Sequence, residues 1–228
     1  LMKQALSPQD FLSVTRRKFK EMVRETRPVH CWFSVTEACD LRCKYCGGSF
    51  GKPLKDELTT CEVYRVLDNI ADAGTETIEF GGGEPTLRDD FLEIVHYASR
   101  EKNMYVSVNT HAQLLDKKYV EALVSSGVFQ VKVSVDGLKG SHDWNRGIGT
   151  FEKCIQALRN CVEEGVRSVM ITACISQLNY KEAEQMIRLA IDLDVDISMV
   201  PFLPAGRGKA WKDLMLTREQ VRDWQRSV

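Results

Sequence analysis

The stretch Cys39-Asp-Leu-Arg-Cys43-Lys-Tyr-Cys46 places three thiols within eight residues. Thiolates are soft ligands that select zinc, copper(I) or iron–sulfur clusters. A closed structural zinc site takes four ligands. Either a fourth ligand comes from elsewhere, with His30, Cys31 and Cys61 as candidates, or one metal position stays open. A [4Fe–4S] cluster held by three cysteines leaves its fourth iron able to bind a small molecule, much as a catalytic zinc keeps an open position. A second chemical signal is Gly81-Gly82-Gly83-Glu84-Pro85. Three glycines without β-carbons let a ligand touch main-chain amides and carbonyls, and the proline fixes the exit of the turn.

Such residues need elements that hold them in place. Short β-branched runs at about 29–36, 76–80, 104–109, 129–135, 167–175 and 195–202 alternate with helical patterns near 59–73, 88–101, 115–126, 149–164, 179–193 and 216–226. Six successive βα units predict a parallel sheet with right-handed crossovers. The cysteine loop directly follows the first strand and the glycine turn directly follows the second. Both therefore lie at strand carboxyl ends, which is where β/α barrels bind ligands. Val106 and Val108 alternate with Ser107 and Asn109; Val131, Val133 and Val135 alternate with Lys132, Ser134 and Asp136. One face is fit to pack on helices and the other is polar, as in a barrel interior or an edge strand with one wet face. Cys154 and Cys161, seven apart on one predicted helix, read as core, and Cys174 alternates with the aliphatic positions of strand five. His111 and His142 fall on predicted loops at the binding end. Ahead of the first strand, residues 9–26 carry Phe11, Leu12, Val14, Phe19, Met22 and Val23 at helical spacing, which predicts a leading amphipathic helix before Pro28.

The bulk composition narrows the class. A chain of 228 residues with 43% hydrophobic and 28% charged composition suits one sizeable core of α/β-barrel size. Its 31 basic and 32 acidic residues leave a formal net charge of −1, so no global field recruits nucleic acid or an anionic membrane. With no secretory signal and only strand-length apolar runs, a cytoplasmic location is expected. Eight cysteines in that setting read as metal ligands and reduced core thiols rather than a disulfide framework.

Together, "CDLRCKYC" and "GGGEPTL" resemble the radical S-adenosylmethionine (SAM) superfamily, whose hallmark is C-x3-C-x2-C after strand one and a G-G-E-P turn after strand two. The resemblance runs from about Val29 to Lys209 and implies a partial (β/α)6 barrel, in agreement with the six units above. It implies that Cys39, Cys43 and Cys46 hold a [4Fe–4S] cluster whose open iron takes the amino and carboxylate groups of SAM. By the same resemblance Tyr45 lies beside the adenine, and Gly82, Gly83 and Glu84 contact the methionine ammonium. Ser134 and Asp136 on strand four meet SAM, and Leu203 lines the adenine pocket. Asn109 takes the strand-three "TNG" position, although this sequence reads Asn-Thr-His. Arg146, in "GSHDWNRGIGTFEK", resembles the arginine of an H-D-x-x-R-G segment that meets the SAM carboxylate or the substrate, and Arg207 is a weaker candidate of the same kind.

The implied activity is reductive cleavage of SAM to a 5′-deoxyadenosyl radical that abstracts hydrogen from a small-molecule or peptide substrate, with an electron donor such as flavodoxin or ferredoxin. The strand-four and Arg146 segments resemble the peptide- and tetrapyrrole-modifying branch. The molybdopterin-precursor cyclase comes second, because "CWFSVTEAC" lacks the arginine expected there. Residues 1–28 are expected as a helical extension and 29–228 as the core. The C-terminal cysteine-rich domain of those relatives is expected to be absent from this chain, which has no cysteine after Cys174. The rival is a non-catalytic iron–sulfur or zinc scaffold, against which the complete glycine turn with Glu84 argues.

Overall fold

The computed structural model describes residues 28–227, so the helix expected over 9–26 lies outside the described residues. Six strands, β1 (His30–Thr36), β2 (Thr77–Gly82), β3 (Tyr105–Thr110), β4 (Gln130–Ser134), β5 (Ser168–Ile175) and β6 (Asp196–Pro201), form one sheet. Their order is sequential and every neighbouring pair is parallel. Among the described residues β1 and β6 are the sheet's edges, which makes this the partial (β/α)6 barrel expected from the sequence.

The helices are α1 (Thr60–Asp72), α2 (Phe91–His96), α3 (Lys117–Ser126), α4 (Lys139–Arg146), α5 (Thr150–Glu163), α6 (Ala183–Asp192) and α7 (Arg218–Ser227). Local chemistry sets their ends. Thr59 and Glu62 form a reciprocal capping box at α1, Asp116 accepts from the Tyr119 amide at 2.8 Å, and Gly127 closes α3 at φ 96°. The aliphatic half of each strand packs outward: Ile78, Phe80, Val106, Val108, Val131, Val133 and Ile171 join Leu67, Ile94, Leu123 and Leu158 from the helices in one buried core. The alternate residues line the concave face and stay partly accessible.

Two expectations change. The single helix expected over 88–101 is α2 followed by a π-helical turn at Tyr97–Glu101, since an apolar period near 3.6 does not separate i→i+4 from i→i+5 bonding. Helix α4 was expected as loop. Its buried residues are Ser141, His142 and Asn145, so it has no apolar stripe for a periodicity reading to find.

Candidate active site

The cysteine loop leaves β1 at its carboxyl end and is tied down at every turn. Cys39 N donates to Gly51 O at 2.8 Å and Gly51 N to Glu37 O at 2.9 Å, closing a short ring around the thiols. Lys44 N donates to Asn145 O at 3.0 Å and Tyr45 N to Asn145 Oδ1 at 3.2 Å. Arg207 donates from Nε to Cys43 O at 3.0 Å, from Nη1 to Phe50 O at 2.8 Å, and from its amide to Cys46 O at 3.0 Å. Residues about 100 and 160 positions away thus hold the C-x2-C segment. The three thiols are partly exposed. Burial pushes Cys39 up to about 11 and raises Cys43, an effect that Arg146 and Arg207 oppose at Cys43.

The glycine turn is locked into that loop. Gly83 N donates to Thr36 O at 2.8 Å and Glu84 N to Ala38 O at 2.7 Å. At Gly82 and Gly83 protein atoms stand where a β-carbon would be. A Cβ at Gly83 would lie 2.1 Å from Ala38 O, and one at Gly82, where φ is +117°, would lie 2.4 Å from both Ser34 Oγ and Thr36 O. Pairing in β1 slips between Ser34 and Thr36 opposite Gly81 and Gly82, and this bulge swings the chain over the turn.

Glu84 is fully buried. Its carboxylate accepts from Thr86 N (3.2 Å), Thr86 Oγ1 (2.6 Å), Thr110 Oγ1 (2.6 Å) and His111 N (2.7 Å). Thr110, which ends β3, and His111, just past it, are the residues that meet it from the third strand. His111, at the binding end as expected, also braces the cysteine loop. Its Nδ1 accepts from Gln113 N at 3.2 Å, so its Nε2 donates to Asp40 Oδ1 at 2.7 Å and ties β3 to the cysteine loop.

On the far side Asp136 is buried and accepts from Arg146 Nε at 2.6 Å, Asn145 Nδ2 at 2.8 Å and Cys174 N at 2.9 Å. Burial alone would raise its pKa, but the Arg146 guanidinium reverses this and holds the carboxyl below its ordinary value. Arg146 is therefore a largely enclosed ion-pair partner at the end of α4, not a solvated loop residue. Asn145, which joins Asp136 to the cysteine loop, is the residue the sequence reading missed. Tyr45 is buried against Phe202, ring centroids 5.1 Å apart, and its hydroxyl has no partner. Leu203 is 70% exposed, so the side chain against Tyr45 is its neighbour Phe202. Ser134 ends β4 on the concave face, and Asn109 lies there beside Glu79. Cys154 and Cys161 are buried as expected.

The profile of the Radical SAM superfamily matches residues 33–190, from within β1 to the end of α6. The chain belongs to that superfamily. It is 32% identical over 202 residues to the Fe-coproporphyrin III synthase of Methanosarcina barkeri and 30% identical over 202 residues to the mycofactocin maturase of Mycolicibacterium smegmatis. These alignments cover 87% and 86% of the chain but 50% and 51% of the relatives, so the chain spans about half the length of the curated relatives it matches. Streptococcus suis SuiB bound to S-adenosylmethionine shares the fold, with TM-score 0.74 and 18% identity over 98% of this chain and 53% of that one.

The superfamily's cofactors are a [4Fe–4S] cluster and SAM, and the donor set fits them. Tetrahedral zinc with 2.3 Å bonds would bring its sulfurs to roughly 3.8 Å from one another. Among the described residues, the only three metal-binding side chains with ligand atoms within 4.8 Å of one another are Cys39, Asp40 and His111, so the three thiols are spread wider than one ion gathers. Two of the three suggested fourth zinc ligands are also displaced. His30 and Cys31 begin β1, and at about 3.3 Å per residue they lie roughly 20 Å from the loop at its end.

Proposed function

We propose that this chain is the catalytic core of a radical SAM enzyme that modifies a peptide or tetrapyrrole side chain. The observation that carries the reading is the physical union of the two motifs: the glycine turn donates its amides into the backbone beside Cys39. Cys39, Cys43 and Cys46 would hold the cluster, with Asn145 and Arg207 fixing the loop and His111 bracing it through Asp40. Bound there, cluster and SAM supply one-electron cleavage of the C5′–S bond and a 5′-deoxyadenosyl radical for hydrogen abstraction. The turn at Gly82 and Gly83, with Tyr45, Ser134 and the unused guanidinium edge of Arg146, frames the SAM position, and Leu203 is its exposed cover. Glu84 serves this site by organising Thr110 and His111 through its four hydrogen bonds. Asn109 and Asp136 act from the barrel wall.

The proposal includes an electron donor such as flavodoxin or ferredoxin and a reducing, cytoplasmic setting. No helix among the described residues is long and apolar enough to cross a membrane. The test is the dithionite-reduced, anaerobically reconstituted protein. SAM should change its electron paramagnetic resonance spectrum, because ligands at the open iron alter the cluster's electronics. 5′-Deoxyadenosine should then accumulate slowly without substrate. No spectral change at saturating SAM removes the reading; zinc without inorganic sulfide favours the scaffold.

A further inference from the structure

The two relatives of nearly equal identity have names pointing to different chemistry, one a coproporphyrin synthase and the other a maturase. The concave face of the barrel distinguishes the substrates those names suggest. Its floor carries a hydroxyl–amide ladder beside Glu79, which is in register with Ser107: Ser107 Oγ donates to Gln130 Oε1 at 3.1 Å, and Gln130 Nε2 to Ser168 Oγ at 2.8 Å. One layer nearer the cysteine loop, Lys132 Nζ lies 2.5 Å from Glu79 Oε2, with side-chain exposures of 19% and 13%. Asn109, paired in register with Lys132, donates to Glu79 Oε1 at 3.5 Å, while its own carbonyl oxygen is buried without a partner. Lys132 lies two residues before the end of β4, roughly 7 Å below the rim at 3.3 Å per residue. Trp32, 53% exposed, stands beside this layer across from Gly81.

The two cations named on this face are each paired. Lys132 is neutralised by Glu79 and, at the rim, Arg146 by Asp136. A substrate carboxylate that took Lys132 would strand a largely buried Glu79, and an unpaired buried charge is costly. An uncharged amide meets no such obstacle. The ammonium has three N–H groups and spends one on Glu79, leaving donors for a carbonyl, while the Asn109 carbonyl lacks a donor.

Resting on the radical SAM reading above, we propose that the layer of Glu79, Asn109 and Lys132 is a substrate subsite that receives an uncharged peptide amide and rejects polycarboxylates. Lys132 donates to the substrate carbonyl, Asn109 accepts from its N–H, and Trp32 supplies the apolar wall.

The experiment uses the reconstituted holoprotein with two probes: coproporphyrin III, followed by its absorbance and fluorescence, and a pool of capped, uncharged synthetic peptides, followed by equilibrium dialysis. Wild type should show no saturable porphyrin binding and should retain members of the peptide pool, with retention lost in Lys132→Gln. Glu79→Gln frees the ammonium and should show saturable porphyrin binding at least about tenfold tighter than the highest concentration at which wild type shows none, in line with a gained charge-assisted hydrogen bond. If Glu79→Gln fails to fold, Asn109→Lys adds an uncompensated cation to the same layer and should give the same gain. Saturable wild-type porphyrin binding that weakens in Lys132→Gln overturns the proposal. So does the absence of any gain in the folded charge variants, or of any retained peptide. Failure of the radical SAM reading would register separately, as loss of dithionite-driven 5′-deoxyadenosine formation from SAM alone.

Discussion

Gly83→Ala adds one methyl group and tests what the glycine turn is for. Its Cβ would sit 2.1 Å from Ala38 O, 2.7 Å from Ala38 C and 2.9 Å from Glu37 C. All three are backbone atoms, so no side chain can rotate away. The chain beside Cys39 must move, straining the 2.8 Å bond from Gly83 N to Thr36 O and the 2.7 Å bond from Glu84 N to Ala38 O. Overpacking of this kind costs about 1–3 kcal/mol, and a lost hydrogen bond adds about 0.5–1.5 kcal/mol. A total of roughly 2–4 kcal/mol lowers the melting temperature of a domain this size by roughly 5–15 °C. If Cys39 is a cluster ligand, as proposed, the displaced backbone carries it, and iron and sulfide content after reconstitution should fall along with SAM cleavage. The control is Gly81→Ala, whose Cβ would come nearest to the Trp32 ring, a side chain that can shift, at 3.1 Å from Nε1, and which should keep its cluster. Iron, sulfide and thermal melts of both variants decide the matter. A Gly83→Ala protein with full iron, full sulfide and wild-type stability that fails only to cleave SAM would show that the glycine clears space for the ligand, not for the loop.

Cys39→Ala, Cys43→Ala and Cys46→Ala should each abolish the absorption near roughly 400 nm of a [4Fe–4S] protein, whereas Cys154→Ala, buried against His111 O at 3.3 Å, should retain it; equal loss in Cys154→Ala refutes the division of roles. Burial, with Arg146 beside it and against the pull of Asp136 and Asp143, lowers the His142 pKa to about 4. The unfolded chain takes up that proton near pH 6.5, so stability present above pH 6.5 is lost as pH falls toward 4, by up to about 3 kcal/mol. Melting temperatures of wild type and His142→Gln across this window should converge toward its acid end, and parallel curves would refute the assignment. Asp136→Ala leaves a largely enclosed Arg146 without its partner, which costs up to about 3 kcal/mol because the guanidinium keeps some access to water, and should also lower iron content by loosening Asn145. A stable variant with full iron content would show that Asp136 supports neither.

How far the sequence alone reaches depends on which face an element buries. All six strands are legible to within a residue or two, because one half of each is aliphatic and packs against helices. The cysteines are legible because a thiol triad at that spacing has few other uses. Glu84 is legible as a residue but not in its contacts: its partners Thr110 and His111 lie on another strand, and hydroxyl and amide donors leave no spacing signature. Helix α4 is the sharpest failure. The apolar pattern that marks the other helices is missing because α4 packs its inner face against a charge, with Asn145 and Arg146 both reaching Asp136. A helix anchored by ionic and amide bonds carries no hydrophobic period, and its key residue reads as loop. The contact that gives Asn145 its importance, to the amides of Lys44 and Tyr45, uses a backbone carbonyl as well as a side chain. Half of that contact would survive any substitution at position 145, so the sequence constrains it only through whatever keeps α4 in place. That role falls to Asp136, so the visible aspartate just past β4, rather than the asparagine touching the loop, is the position where one substitution should release the cysteine loop proposed to hold the cluster.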